Sequence, residues 1–357
     1  MERWQHILKK SLIRANQISA EFDLNSEKIE RVTAEYPVRI NPYFRTLIKE
    51  KDDPIYKQVI PDEQEIYDPV GVDDPLNEEG DSPVPSVVHR YEDRALLMVT
   101  HQCPVYCRFC TRKRFVGKVP IPGEMVRRGI DYIRSHNEIR DVIISGGDPL
   151  ILKDRGLEEI LKALREIPHV DIIRIGTRVP CALPQRITHK LCRMLKRYHP
   201  LYININFIHP LEITDEVGVA CGRLADAGIP LGSQTVLLKG INDDPEIIKE
   251  LMQRLLAIRV KPYYLYQADL TRGTEHMRTP VECGLDIIRG LQGRISGMAI
   301  PKFVIDLPGG GGKVPLLPSD FVIGMNEREV IVKNYEDKIY RYPQPEESKV
   351  GCDDCLR

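Results

Sequence analysis

Between residues 95 and 267, six short strand-like runs recur, at 95–100, 141–145, 171–176, 201–207, 232–238 and 262–267, the first five carrying Ile, Val or Leu and the last tyrosines. Stretches of helical period lie between them, at 123–135, 156–166, 184–198, 214–227 and 244–258. A strand that returns to its own sheet after a crossover helix pairs parallel to the strand before it, so this alternation dictates repeated βα units. Six units predict an α/β chain built on a partial (β/α)6 TIM-like barrel. With 357 residues, 42% hydrophobic and 29% charged, the chain has material for one barrel-sized core with extensions. Residues 1–90 mix charged helical stretches with a Pro- and Asp-rich passage over 61–85, which predicts a helical and extended wrapping region. Residues 91–300 form the barrel. Residues 301–357 hold a further strand at 302–306, a glycine run and β-like segments at 321–323, 330–334 and 339–342.

Fifty-one Lys and Arg stand against 52 Asp and Glu, and the formal net charge of -1 gives no basic field for nucleic acid. No stretch reaches the roughly 18–20 uninterrupted apolar residues of a membrane helix. Residues 1–22 carry charges throughout and lack the apolar centre of a signal peptide. A cytoplasmic location with no membrane partner is therefore expected. In that compartment nine cysteines point to thiols, metal ligands or cluster ligands, not to a disulfide framework.

Three of these, Cys103, Cys107 and Cys110, form Cys-x3-Cys-x2-Cys just after the first predicted strand, where a βα barrel keeps its active site. Three thiolates on one loop can hold three irons of a [4Fe-4S] cluster and leave the fourth open. A structural zinc would take a fourth Cys or His nearby, which the local sequence does not offer; three unrelated buried thiols are the plain alternative. After the second strand comes Ser145-Gly146-Gly147-Asp148, by itself an ordinary turn. Near the C-terminus, Pro308-Gly309-Gly310-Gly311-Gly312-Lys313-Val314-Pro315 presents a lysine on a glycine run. This is no Walker loop, because Leu307 and Val314 stand where Gly and Ser or Thr are required. A lysine so placed is either solvated or, with its amine freed, able to condense with the aldehyde of pyridoxal phosphate (PLP).

The cysteine spacing and its position resemble the radical S-adenosylmethionine (SAM) superfamily, in which SAM binds the open iron and is cleaved reductively to a deoxyadenosyl radical. With the Lys313 loop added, the chain resembles the lysine 2,3-aminomutase family of radical SAM, PLP-dependent isomerases. The likeness runs from about residue 35 to 345 and includes Asp81-Ser82-Pro83-Val84-Pro85, His89-Arg90-Tyr91, the run from Cys107 to Phe115, Leu183 to Thr188, Leu224 to Gly228 and Tyr264 to Gln267. It implies that Lys313 is the catalytic PLP lysine and that Arg90 and Arg94, four apart on one helical face or turn, hold the PLP phosphate. It implies Cys103, Cys107 and Cys110 as cluster ligands, and Phe109, Gly146, Gly147, Asp148 and Gln234 as the SAM site. Arg112 is implied as the partner of the substrate carboxylate, and Asp269 and Asp306 as counter-charges for a distal ammonium. Relatives acting on glutamate lack that acidic pair, so L-lysine is favoured. The reaction implied is migration of the amino group from C2 to C3 of a free amino acid, giving β-lysine. An external electron donor such as ferredoxin or flavodoxin and a homo-oligomer go with it.

The chain departs from the family pattern in places. The family's zinc site takes one loop cysteine and three in the tail. Here the tail keeps Cys352 and Cys355, while Asp244 and Val350 replace the other two, short of the donors a structural zinc uses. Asn206 replaces a histidine on the fourth predicted strand. Cys181, Cys192, Cys221 and Cys283 read as ordinary thiols. Alternatives are an aminomutase for arginine, ornithine or glutamate, a homologue making β-lysine for elongation factor P, and an iron-sulfur or zinc nucleic-acid module using Arg108, Arg112, Lys113 and Arg114. Neutral charge and the Lys313 loop oppose the last of these.

Overall fold

The computed structural model describes residues 2–118, 120–318, 321–326 and 328–344. Nine strands form one sheet in chain order: β1 (Val87–Tyr91), β2 (Arg94–Thr100), β3 (Asp141–Gly146), β4 (Ile172–Thr177), β5 (Leu201–Asn206), β6 (Leu231–Leu237), β7 (Lys261–Gln267), β8 (Lys302–Leu307) and β9 (Gly312–Pro315). From β2 to β8 every neighbouring pair is parallel, and β1 and β9 add antiparallel edges. The expected partial barrel is present, with seven parallel strands where six were expected. The seventh is β8, assigned by sequence to the C-terminal extension; it pairs with β7 at Leu265↔Phe303. Its crossover helix, Val281–Leu291, lies beyond the helical stretches expected from sequence, and it buries Gly284, Ile287, Ile288 and Leu291. Gly284 is needed there, since a Cβ would lie 2.1 Å from the Phe303 ring. Three further strands, β10 (Val322–Met325), β11 (Glu329–Lys333) and β12 (Ile339–Pro343), make a separate antiparallel sheet.

Period-2 alternation sorts the barrel strands into two faces. Val142, Ile144, Ile173, Ile175, Ile203 and Ile205 are fully buried, each worth roughly 1.5–3 kcal/mol of apolar burial. The alternate positions, among them Asp141, Ser145, Arg174, Asn204, Asn206 and Gln234, line an internal cavity. The two sheet edges are joined by side chains: the Tyr91 hydroxyl of β1 accepts the Lys313 amide of β9 at 3.0 Å.

The N-terminal region begins with helices Arg3–Lys9, Ala15–Phe22 and Ser26–Glu35. Its acidic passage then goes inward. Glu65, 1% exposed, accepts Arg108 Nη2 at 2.6 Å and Lys113 Nζ at 2.7 Å, tying the cysteine loop to the wrapping arm. Burial works to raise the Glu65 pKa, and the two cations override it and hold the carboxyl below its usual range. Burial pushes the Lys113 ammonium down to about 8. Glu65→Ala leaves two buried cations without a counter-charge and is expected to cost about 3–5 kcal/mol. Urea unfolding of the two proteins checks this, and a difference under about 1 kcal/mol contradicts it.

Candidate active site

A cavity of about 590 Å³ opens at the C-terminal ends of the parallel strands. Cys103, Cys107 and Cys110 lie in its wall, and Lys313, Asp269 and Asp306 lie in the same cavity. The loop after β2 places the three cysteines side by side. Burial, reinforced by Asp148 and the neighbouring sulfurs, pushes the Cys103 thiol well up. Burial and Cys107 take Cys110 up to about 11. Sulfurs in this state become thiolates only with a strong cation at hand, as metal coordination provides. Three cysteines on one loop match a cluster that takes one thiolate per iron and leaves one iron open, whereas a structural zinc takes four donors.

The turn after β3 runs directly against that loop. Gly146 has φ of 125°, and a Cβ there would lie 2.2 Å from the Thr100 carbonyl oxygen; at Gly147 it would lie 2.4 Å from that of Gln102. The Gly147 amide donates to Thr100 at 2.5 Å. Asp148 serves the wall from within, accepting Thr177 Oγ1 and the Arg178 amide, both at 2.7 Å. Burial pushes its pKa up to about 6. Phe109 and Gln234 also line the cavity, and Gln234 Nε2 donates to the Tyr266 hydroxyl at 3.0 Å.

Lys313 is delivered by β9, with Gly310 and Gly312 at φ of 89° and 82°, a region only glycine enters freely. Its Nζ lies 2.5 Å from Asp306 Oδ2 and 5.8 Å from the centre of the Tyr266 ring. The other Asp306 oxygen is buried and has no hydrogen-bond partner among the described residues, although Arg90 Nη1 stands 3.7 Å away. Asp269 accepts Thr111 Oγ1 at 2.8 Å, and burial, with Asp306 nearby, pushes its pKa up to about 6. Arg112 forks onto Glu78 at 2.6 and 3.0 Å and directs Nη1 to Ser145 Oγ and the Gly146 carbonyl, each at 3.2 Å.

Arg90 and Arg94 do not share a helical face. They sit on the two strands of a hairpin, where Tyr91 pairs with Arg94 across the turn. Both still line the cavity; Arg90 Nε donates to Asp81 at 2.8 Å, and Arg94 lies 3.8 Å over the Tyr91 ring.

A family model described as lysine-2,3-aminomutase matches residues 288–357, and the radical SAM superfamily model matches residues 97–252. The L-lysine 2,3-aminomutase of Fusobacterium nucleatum is 48% identical over 351 residues, covering 96% of this chain and 82% of that protein. That of Clostridium subterminale is 47% identical over 358 residues, covering 98% and 85%. The chain belongs to the lysine 2,3-aminomutase family. Its radical SAM domain implies a [4Fe-4S] cluster and SAM. Another relative of the aminomutase is the glutamate 2,3-aminomutase of Clostridioides difficile, 46% identical over 319 residues, covering 88% and 75%. Overall identity therefore does not separate lysine from glutamate, and the substrate has to be read from the cavity.

Every residue that sequence assigns to the cluster, SAM, PLP or the substrate borders the aminomutase cavity. The wall also carries Tyr263, Tyr264, Tyr266, Arg174, Arg178 and Glu78, to which sequence reasoning gave no roles. A signal for Arg174 was present, as a charge at an alternate position of an otherwise apolar strand. Asn206 lines the cavity, and its carbonyl accepts the Cys181 thiol at 3.2 Å. Of the altered zinc positions, Asp244 caps the helix Pro245–Ala257, while Val350, Cys352 and Cys355 lie outside the described residues. Among the described residues no helix is long and apolar enough to cross a membrane.

Proposed function

We propose that this aminomutase moves the amino group of L-lysine from C2 to C3, giving β-lysine, with a cluster on Cys103, Cys107 and Cys110 and PLP on Lys313. The observation that carries the reading is the acidic end of the cavity. There Asp269 and Asp306 stand beside Lys313, and one buried Asp306 oxygen lacks a hydrogen bond among the described residues. A buried acceptor with an unmet lone pair calls for a donor, and an ammonium supplies both donor and charge. A glutamate side chain would bring a third carboxylate to the same place.

When bound, the cluster and SAM supply the hydrogen-abstracting radical and PLP spreads the unpaired electron. The chain's own residues do the positioning. Lys313 anchors the cofactor and takes or returns a proton at Nζ. Arg90 and Arg94 face the same cavity as cations for a phosphate. The long bonds from Arg112 Nη1 to Ser145 and Gly146 are exchangeable for a substrate carboxylate, while Glu78 keeps the fork in place. Gly146, Gly147, Phe109 and Gln234 form the wall assigned to SAM, with Asp148 holding the turn. The tyrosines of β7 exclude water from the reacting end. A one-electron donor of the ferredoxin or flavodoxin kind, a homo-oligomer and a cytoplasmic setting belong to this reading.

The test is anaerobic reconstitution with iron, sulfide, PLP, SAM and reductant, followed by L-lysine, arginine, ornithine and glutamate in parallel. β-Lysine is the expected product; rearrangement of another amino acid with lysine inert overturns the substrate. The acidic pair also fixes a pH response. Asp269, raised to about 6, is ionised above that pH and neutral below it. Lysine kcat/KM is therefore expected to fall as pH drops through about 6, and Asp269→Asn to lack that limb. A flat profile between about pH 7 and 5 removes Asp269 from the substrate site.

A further inference from the structure

Arg178 follows β4 and is 6% exposed. Its Nη1 donates to Cys107 Sγ at 2.6 Å. Behind it, Nη2 donates to Glu212 Oε1 at 3.0 Å and to Gln58. Glu212 is fully buried, and its second oxygen accepts the Ile208 amide at 3.0 Å. The guanidinium also lies over the rings of Phe44 and Phe109, at 5.1 and 5.5 Å from their centres. Arginine does not lose its charge at any working pH, so a permanent cation is fixed against one sulfur, with its counter-charge on the far side.

We infer that Arg178 tunes the reduction potential of the cluster, by a charge-assisted hydrogen bond to Cys107 Sγ, and that Glu212 opposes it. The inference rests on the reading of Cys103, Cys107 and Cys110 as cluster ligands. One electron from a low-potential donor adds one negative charge to the cluster. A cation touching a ligand sulfur stabilises the reduced form and raises the potential; a buried anion one layer out lowers it. Burial leaves little solvent to screen either charge. Gln58 and Phe44 come from the N-terminal arm, so the arm takes part in setting this potential.

The deciding measurement is the cluster midpoint potential, read from the EPR signal of the reduced cluster during a mediated dithionite titration. Wild type, R178Q, R178K and E212Q are compared after anaerobic reconstitution, with iron and sulfide assayed in each. R178Q is expected to shift to more negative potential, E212Q to more positive potential, and R178K to stay close to wild type. A merely structural role would not give shifts of opposite sign. Failure of wild type to take up iron removes the ligand assignment itself, whereas R178Q with full iron and an unchanged potential removes only the role of Arg178. Shifts in the same direction also overturn the inference. If R178Q assembles no cluster, E212Q decides: a positive shift sustains the inference and a wild-type potential ends it.

Discussion

Lys313→Ala is expected to abolish β-lysine formation, a loss of at least about 10³-fold of the kind seen when a covalent catalytic group is removed. It should leave iron content and reductive SAM cleavage in place. The separation follows from the positions of the two parts. The cysteines belong to the loop after β2, anchored through Arg108 to Glu65, while Lys313 belongs to an edge strand at the other end of the sheet. Removing the side-chain amine from β9 touches Asp306, but neither the backbone amide that closes on Tyr91 nor any contact of the cysteine loop. Borohydride reduction after incubation with PLP gives the independent reading, with a stable pyridoxyl label on wild type and none on the variant. A labelled variant, or one that loses its iron along with its turnover, would show that Lys313 is not the cofactor lysine or that the two halves of the site are not separable.

The barrel is legible in the sequence because its strands alternate strictly. Ile173 and Ile175 face the helices, while Arg174 between them faces the lumen, and β3 and β5 repeat the arrangement. A barrel without a ligand fills its centre with branched apolar side chains. The polar inner row Asp141, Ser145, Arg174, Asn204, Asn206 and Gln234 thus marks a cavity held open for polar guests. Hidden from a linear reading were contacts made by charge across long separations. Glu65, Asp68 and Glu78 sit in a passage whose composition suggests surface, yet each is buried against cations or amides of distant loops. Pattern reading assigns charge to solvent by default, and only the fold reveals that Arg108, Lys113 and Arg112 stand opposite. Arg178 follows the third predicted strand, at the end where a barrel keeps its site, but its role was hidden for the same reason, since its three polar partners come from residues 58, 107 and 212.

Replacing the acidic pair should separate lysine recognition from the radical chemistry. In Asp269→Asn, lysine kcat/KM is expected to fall by about 10²- to 10³-fold, or about 3–4 kcal/mol, the scale for removing one partner of a buried charge pair. Most of the loss should appear in KM, because the distal ammonium lies remote from the carbons that react and its contact persists from ground state to transition state. Norleucine, which has the lysine chain without the ammonium, isolates the charge. It should inhibit the variant at least as well as wild type, since an amide is easier than a carboxylate to bury beside an apolar chain end. Thr111 can donate to the amide oxygen as it does to the carboxylate, so the loop from Cys110 keeps its anchor and the cluster should be unaffected. Asp306→Asn adds a second effect, because Asp306 also holds Lys313 at 2.5 Å, and it should lower PLP incorporation as well as lysine affinity. Equal losses for lysine and norleucine in Asp269→Asn would mean that the carboxylate shapes the cavity and does not pair with the substrate.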